Sequence, residues 1–250
     1  MEGEDGKTAT PGLGWWDRGG VLALRRAIKA SPHFMFGDNI CGMARAKVVK
    51  IVCHSRRVLR IAVKYGWLPG ARYTNLRDIR HFDEIGFIDI DWKHYSFKSH
   101  IEAVRATKPL MTVARDITRA RDLTRTLDEA AELSCHANHV IVVPKDPALT
   151  DMLSTIARHF VLGYSVPSRY GGTQIAPSAF RGKVHLLGGR PDKQRRLANE
   201  MEVVSVDCNR FTFDAMYGDY FDGTGFRPHP TGGYVNCLRD SIRNITRLWQ

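Results

Sequence analysis

KVHLLGGRPDKQRRLANEMEVVSVDCNRF, residues 183–211, carries a pattern that repeats through much of the chain. An apolar run, Val184 to Leu187, meets Gly188-Gly189, and a helix opens near Pro191, where a fixed φ and a missing N–H cost nothing. A second apolar run, Val203 to Val206, ends on a carboxylate, Asp207, with Cys208, Asn209 and Arg210 behind it. Strand, turn, helix and strand in this order make a βα unit, and strands without polar alternation belong to a sheet buried on both faces. In a βα barrel the residues at which parallel strands end face the substrate. An Asp placed there is costly to bury unless it is paired or used.

The same rhythm extends back to Gly86. Candidate strands at 86–90, 110–114, 140–144, 160–166, 183–189 and 202–208 alternate with helical patterns at 97–106, 117–133, 149–160 and 191–201. With one or two less clear units before them, they predict a (β/α)8 TIM-like barrel, irregular at its N-terminal strands. An open doubly wound sheet is the alternative. Residues 1–14 read as a flexible leader, and 15–250 as a single βα-barrel domain. An amphipathic helix is expected from Trp16 to Ala30, stopped by Pro32, then a short strand at 33–39 delivering Asp38 and Asn39. Across 44–65 helical spacing competes with β-branched runs, and a helix is favoured for the second half. GWLPGARYTN, 66–75, reads as a loop on the Pro69-Gly70 turn signal. The Gly-, Tyr- and Pro-rich stretch 217–236 is expected as an ordered loop before a last helix, Cys237 to Trp249.

Charge and composition narrow the function. Lys and Arg outnumber Asp and Glu by 37 to 26, a formal net charge of +11. That favours a polyanionic partner, nucleic acid first, although an anionic membrane surface attracts the same charge. No apolar run reaches the roughly 18 residues of a membrane span. The first residues are polar and acidic, unlike a signal peptide. Five scattered cysteines suggest reduced thiols and a cytoplasmic location. GxGxxG, Walker A and Ser-His-Asp signatures are missing. Cys135, His136 and His139 are metal-ligand types, but no second cluster accompanies them, and a helix end is the preferred reading.

Carboxylates fall at three strand ends: Asp89 with Asp91, Asp116, and Asp207. Each alone also suits a helix N-cap. Gathered at one barrel mouth they would raise one another's pKa, which suits one as nucleophile and another as acid or base. The turn Leu187-Gly188-Gly189 and SVPSRYGG, 165–172, can bring backbone N–H groups close to a ligand, or serve only as tight turns. Arg190, Lys193, Arg195 and Arg196, with Arg210 and the runs at 56–57 and 119–125, offer a phosphate track or a solvated face.

Together these motifs resemble the tRNA-guanine transglycosylase superfamily, most closely its small phage and prokaryotic branch that inserts 7-deazaguanines into DNA. In that superfamily a strand with a glycine turn and a helix precede an apolar strand ending in a nucleophilic Asp-Cys. HLLGGRPDKQRRLANEMEVVSVDCN has that order. The resemblance implies Asp207 as nucleophile, Asp89 or Asp91 as acid/base, and Asp116, in TVARD, as reader of the guanine edge. It places Gly163, in FVLGYSV, and the turn Leu187, Gly188, Gly189 against the base. It implies DNA ahead of tRNA as acceptor, a free 7-deazaguanine such as 7-cyano-7-deazaguanine as co-substrate, and no redox or metal cofactor. A phage-encoded chain would work in the host cytoplasm, and a homodimer stays open. Three departures stand out. The Ser-Gly-Gly-Phe after the early Asp is absent, Pro144-Lys145 replaces a Gln, and of the C-terminal zinc site only Cys237 remains. Loss of the zinc module fits DNA better than tRNA. A tRNA enzyme, a non-catalytic nucleic-acid-binding barrel subunit and a barrel enzyme on a small phosphorylated metabolite are the alternatives.

Overall fold

A computed structural model describes residues 47–168 and 171–250. The expected leader, the helix from Trp16, the strand at 33–39, and Arg169 and Tyr170 lie outside the described residues. Eight parallel strands close into a barrel in chain order: β1 (Val49–Cys53), β2 (Leu68–Arg72), β3 (Phe87–Asp89), β4 (Met111–Val113), β5 (His139–Val142), β6 (Val161–Ser165), β7 (Lys183–Leu187) and β8 (Glu202–Asp207). β1 pairs with both β2 and β8, which abolishes the sheet edges and excludes the open sheet. Helices α1 (Arg56–Val63), α2 (Phe97–Thr107), α3 (Leu123–Leu133), α4 (Leu153–Ala157), α5 (Pro191–Leu197), α6 (Arg210–Met216) and α7 (Tyr234–Leu248) accompany them. Ile51, Val52, Ile88, Ile141, Val142, Leu162, Val184, Leu186 and Val206 are fully buried, as strands covered on both faces require. Among the described residues no helix is long and apolar enough to cross a membrane.

Of the stretch 44–65, the described residues 47–65 hold β1 and α1, so the helix expected for the second half is there, behind a strand. The larger correction is β2. Pro69-Gly70 sits inside a strand instead of making a turn. Pro69 lacks a ladder donor, but its carbonyl still accepts from Gly86 N at 2.8 Å. Gly70 lies where a Cβ would come within 2.5 Å of Cys53 Sγ. Here glycine makes room for barrel packing, and closure of the cylinder overrides the local turn signal.

The N-terminal strands β1 and β2 are regular, and the irregularity lies in the last pair. Val184 faces Val203, yet His185 faces Ser205, so Val204 is an extra residue in β8. One extra residue reverses which side chains face inward beyond it. Ser205 therefore shares a side with His185, and Asp207, two residues on, follows it.

The stretch 217–236 contains a hairpin rather than loop alone: β9 (Asp219–Phe221) pairs antiparallel with β10 (Phe226–Pro228). Helix α7 holds it, since Ser241 Oγ accepts from Phe221 N at 2.9 Å and Asn244 Nδ2 donates to Phe221 O at 2.9 Å. The same helix braces the barrel through Thr246, whose Oγ1 accepts from the buried Trp67 indole at 2.8 Å.

Candidate active site

The strand ends surround a cavity of about 910 Å³, at the upper end of what small-molecule sites span. Asp89 at the end of β3, Asp116 in the loop after β4 and Asp207 at the end of β8 all line it. None of the three caps a helix. The position before α6 belongs to Asn209, whose Oδ1 instead accepts from Cys53 N at 3.3 Å across the β8–β1 seam.

Asp207 is held from several sides. Its Oδ1 accepts from Gly188 N at 2.8 Å. Gly188 and Gly189 both have positive φ, +62° and +88°, and a Cβ on Gly189 would meet Val166 at 2.6 Å. Glycine at both places is thus demanded by the turn that aims this N–H. The fully buried Gln194 of α5 donates from Nε2 to Gly188 O and to Asp207 O, both at 2.8 Å, tying turn to strand end. Beneath lies His185, fully buried, with Nδ1 2.8 Å from Ser205 Oγ and its ring stacked on Phe87. Its Nε2 has no hydrogen bond and lies 3.5 Å from Asp207 Oδ1.

Asp89 differs from its neighbour. Burial, then the charge of Asp207, push its pKa up to about 7, against the opposing pull of the Ile90 N–H and Arg72. Its Oδ1 accepts from Ile90 N at 2.8 Å. Two carboxylates with unlike surroundings are the arrangement that separates an acid from a nucleophile. Cys53, beside them, is pushed well above the ordinary thiol range by burial and by both carboxylates, so it stays a neutral thiol.

Asp91 does not join this group. The strand stops at Asp89, so the alternation expected to put Asp89 and Asp91 on one side ends there. Asp91 Oδ1 accepts from Lys93 N and His94 N at 3.1 and 3.3 Å, bonds that hold its pKa down, and it is not among the cavity-lining residues. Asp116 pairs with Lys145 Nζ at 2.7 Å, and both line the cavity. Leu187 and Gly188 line it too. Gly163 does not. A Cβ there would meet Val143, Ile141 and Leu187 side chains at 2.6 to 2.9 Å, so its bareness serves packing inside the barrel.

The expected phosphate track also lies elsewhere than the cavity wall. Arg190 pairs with Asp192 at 2.9 Å under the Phe226 ring, Arg196 reaches Asp192 at 3.5 Å, Arg195 bonds Asn199 and Arg210 clamps Asp214. Lys193 is exposed on α5. The cations that do line the cavity are Arg72, Lys93, Arg115 and Lys145, and Trp92 stands with them. Sequence reasoning missed these, because each is a single residue, Arg72 at the end of a strand read as loop and the others in short connections, and forms no run. Among the described residues no group of three His, Cys, Asp or Glu side chains is placed to hold a metal ion.

Residues 62–250 match the model of a family of unknown function (DUF6610). The match begins within α1, so β1, which closes the barrel, lies ahead of it. No curated protein matches the chain.

Proposed function

We propose that this chain, which belongs to the DUF6610 family, is a base-exchange transglycosylase that replaces guanine in DNA with a free 7-deazaguanine of the 7-cyano-7-deazaguanine kind. The observation that carries this reading is the unequal carboxylate pair in one cavity: Asp207 on a backbone N–H, and Asp89 pushed up to about 7 by burial and then by the charge of Asp207. The likeness of the strand ends to the transglycosylase superfamily supports the choice of substrate.

A guanine is taken out of the stack into the cavity, which costs a few kcal/mol of unpairing and unstacking. Asp207 Oδ attacks C1′ while the C1′–N9 bond breaks and its electron pair leaves with the base. Asp89, protonated, gives its proton to the departing guanine and becomes a carboxylate. The incoming 7-deazaguanine then gives its N9 proton to Asp89, and N9 attacks C1′ to release Asp207. A pKa near the working pH suits a group that must act first as acid and then as base. Asp116 accepts from the guanine N1–H and N2–H, and Lys145 donates to O6, a pattern adenine cannot match.

The test is mass analysis of nucleosides from DNA and from tRNA of cells that express the chain with a deazaguanine supply. The 7-deazanucleoside should accumulate in DNA, and not with Asp207→Asn. Accumulation in tRNA alone would move the acceptor to tRNA. Unchanged accumulation in Asp207→Asn would remove Asp207 from the reaction.

A further inference from the structure

Trp92 leaves 68% of its surface in solvent, although it stands on the wall of the cavity. A single exposed apolar residue is ordinary on a protein surface, but three features separate this one. First, its loop is built to hold it out. Asp91 Oδ1 accepts from Lys93 N and His94 N, Tyr73 Oη donates to His94 O at 2.9 Å, and Ser96 N donates to Tyr73 Oη at 2.9 Å. Second, Lys93 Nζ lies 5.1 Å from the indole centroid, which puts a cation beside the ring. Third, Arg72 and Arg115 line the same cavity, Arg115 lying 4.4 Å over the Tyr95 ring. An exposed aromatic face with cations around it is how proteins hold unpaired nucleic acid without reading its sequence.

We infer that Trp92 is a stacking platform for the nucleobase adjacent to the one in the cavity, so that the acceptor is engaged as an unpaired strand. This rests on reading the cavity as a nucleobase site. The neighbour of an extracted base has lost a stacking partner, and the indole supplies a new one. Lys93 and Arg72 meet the phosphates on either side.

The experiment uses the full chain carrying Asp207→Asn, so that no turnover intervenes. Its probes are a short fluorescein-labelled DNA single strand with one guanine and the matching duplex, followed by anisotropy. Adding Trp92→Ala should weaken single-strand binding by roughly 5- to 150-fold, the range carried by one base–aromatic stack, and Trp92→Phe should stay within about threefold. The duplex should bind more weakly than the single strand. 2-Aminopurine placed next to the guanine should be quenched by the Asp207→Asn chain and not after Trp92→Ala. Trp92→Ala binding as the parent does, or a duplex bound as tightly as the single strand, would overturn the platform. Its failure is separable from that of the exchange reading. Base exchange with Trp92-independent binding removes only the platform. Trp92-dependent binding and quenching without exchange in the native chain keeps the platform and removes the reaction.

Discussion

In the proposed reaction Asp89 is the side chain whose charge decides both the chemistry of the site and its cost to the fold. Transfer of the sugar to Asp207 in that proposed reaction needs Asp89 protonated, so the single-turnover rate of that step should fall as pH rises through about 7, approaching tenfold per unit above it. Asp89→Asn should remove that titration and lower the rate by about 10²- to 10⁴-fold, the usual contribution of a positioned acid. The same shift acts on stability. Asp89 binds its proton more tightly folded than unfolded, so its contribution is fully present below about 4 and is lost as pH rises to about 7. Melting curves at pH 5 and pH 8 should therefore differ less for Asp89→Asn than for the native chain. In the proposed reading of the base, Asp116→Ala should lower guanine-over-adenine selectivity by more than it lowers the melting temperature, because Asp116 and Lys145 are only partly buried, at the cavity wall, where an ion pair adds little to folding. Competition between labelled purines measures it.

At the scale of elements, the placement of Asp207 depends on the glycine turn after β7, the extra Val204 in β8 and the clamp from α5. Gln194→Leu leaves two partly buried carbonyls, of Gly188 and Asp207, without the Gln194 donor. A loss of about 1–3 kcal/mol per stranded group is expected in denaturant unfolding, with exchange activity falling further than stability. Gly188→Ala has open space around its Cβ but a φ of +62°. It should cost about 1–2 kcal/mol and displace the N–H that holds Asp207. These elements were legible to different degrees. From β3 onward the strands declare themselves as apolar runs, because the sheet is covered on both faces. β2 did not, since Pro69-Gly70 reads locally as a turn and only closure between β1 and β3 makes it a strand. The β9–β10 hairpin was hidden for a related reason, its backbone being satisfied by side chains of the distant α7.

Across the whole molecule, the ends of β2 to β8 convert residues scattered from Arg72 to Asp207 into one wall. Asp89, Asp116 and Asp207 could be picked from sequence because each follows an apolar run. Lys145, Arg72, Arg115 and Trp92 could not, since only the barrel register brings single residues from different strand ends and connections together. The excess of 37 basic over 26 acidic residues works at this scale. Binding to a DNA single strand should weaken steeply as salt rises, as release of counterions from several phosphates requires. A shallow dependence would favour a small phosphorylated substrate instead. The central claim, that the sugar passes through a bond to Asp207, is tested most directly by intact-mass analysis. The native chain is incubated with guanine-containing DNA in the absence of a free base and then denatured. The expected result is a protein–DNA adduct that maps by peptide fragmentation to Asp207 and is absent from Asp207→Asn. An adduct on another residue, or base exchange by Asp207→Asn, would contradict it.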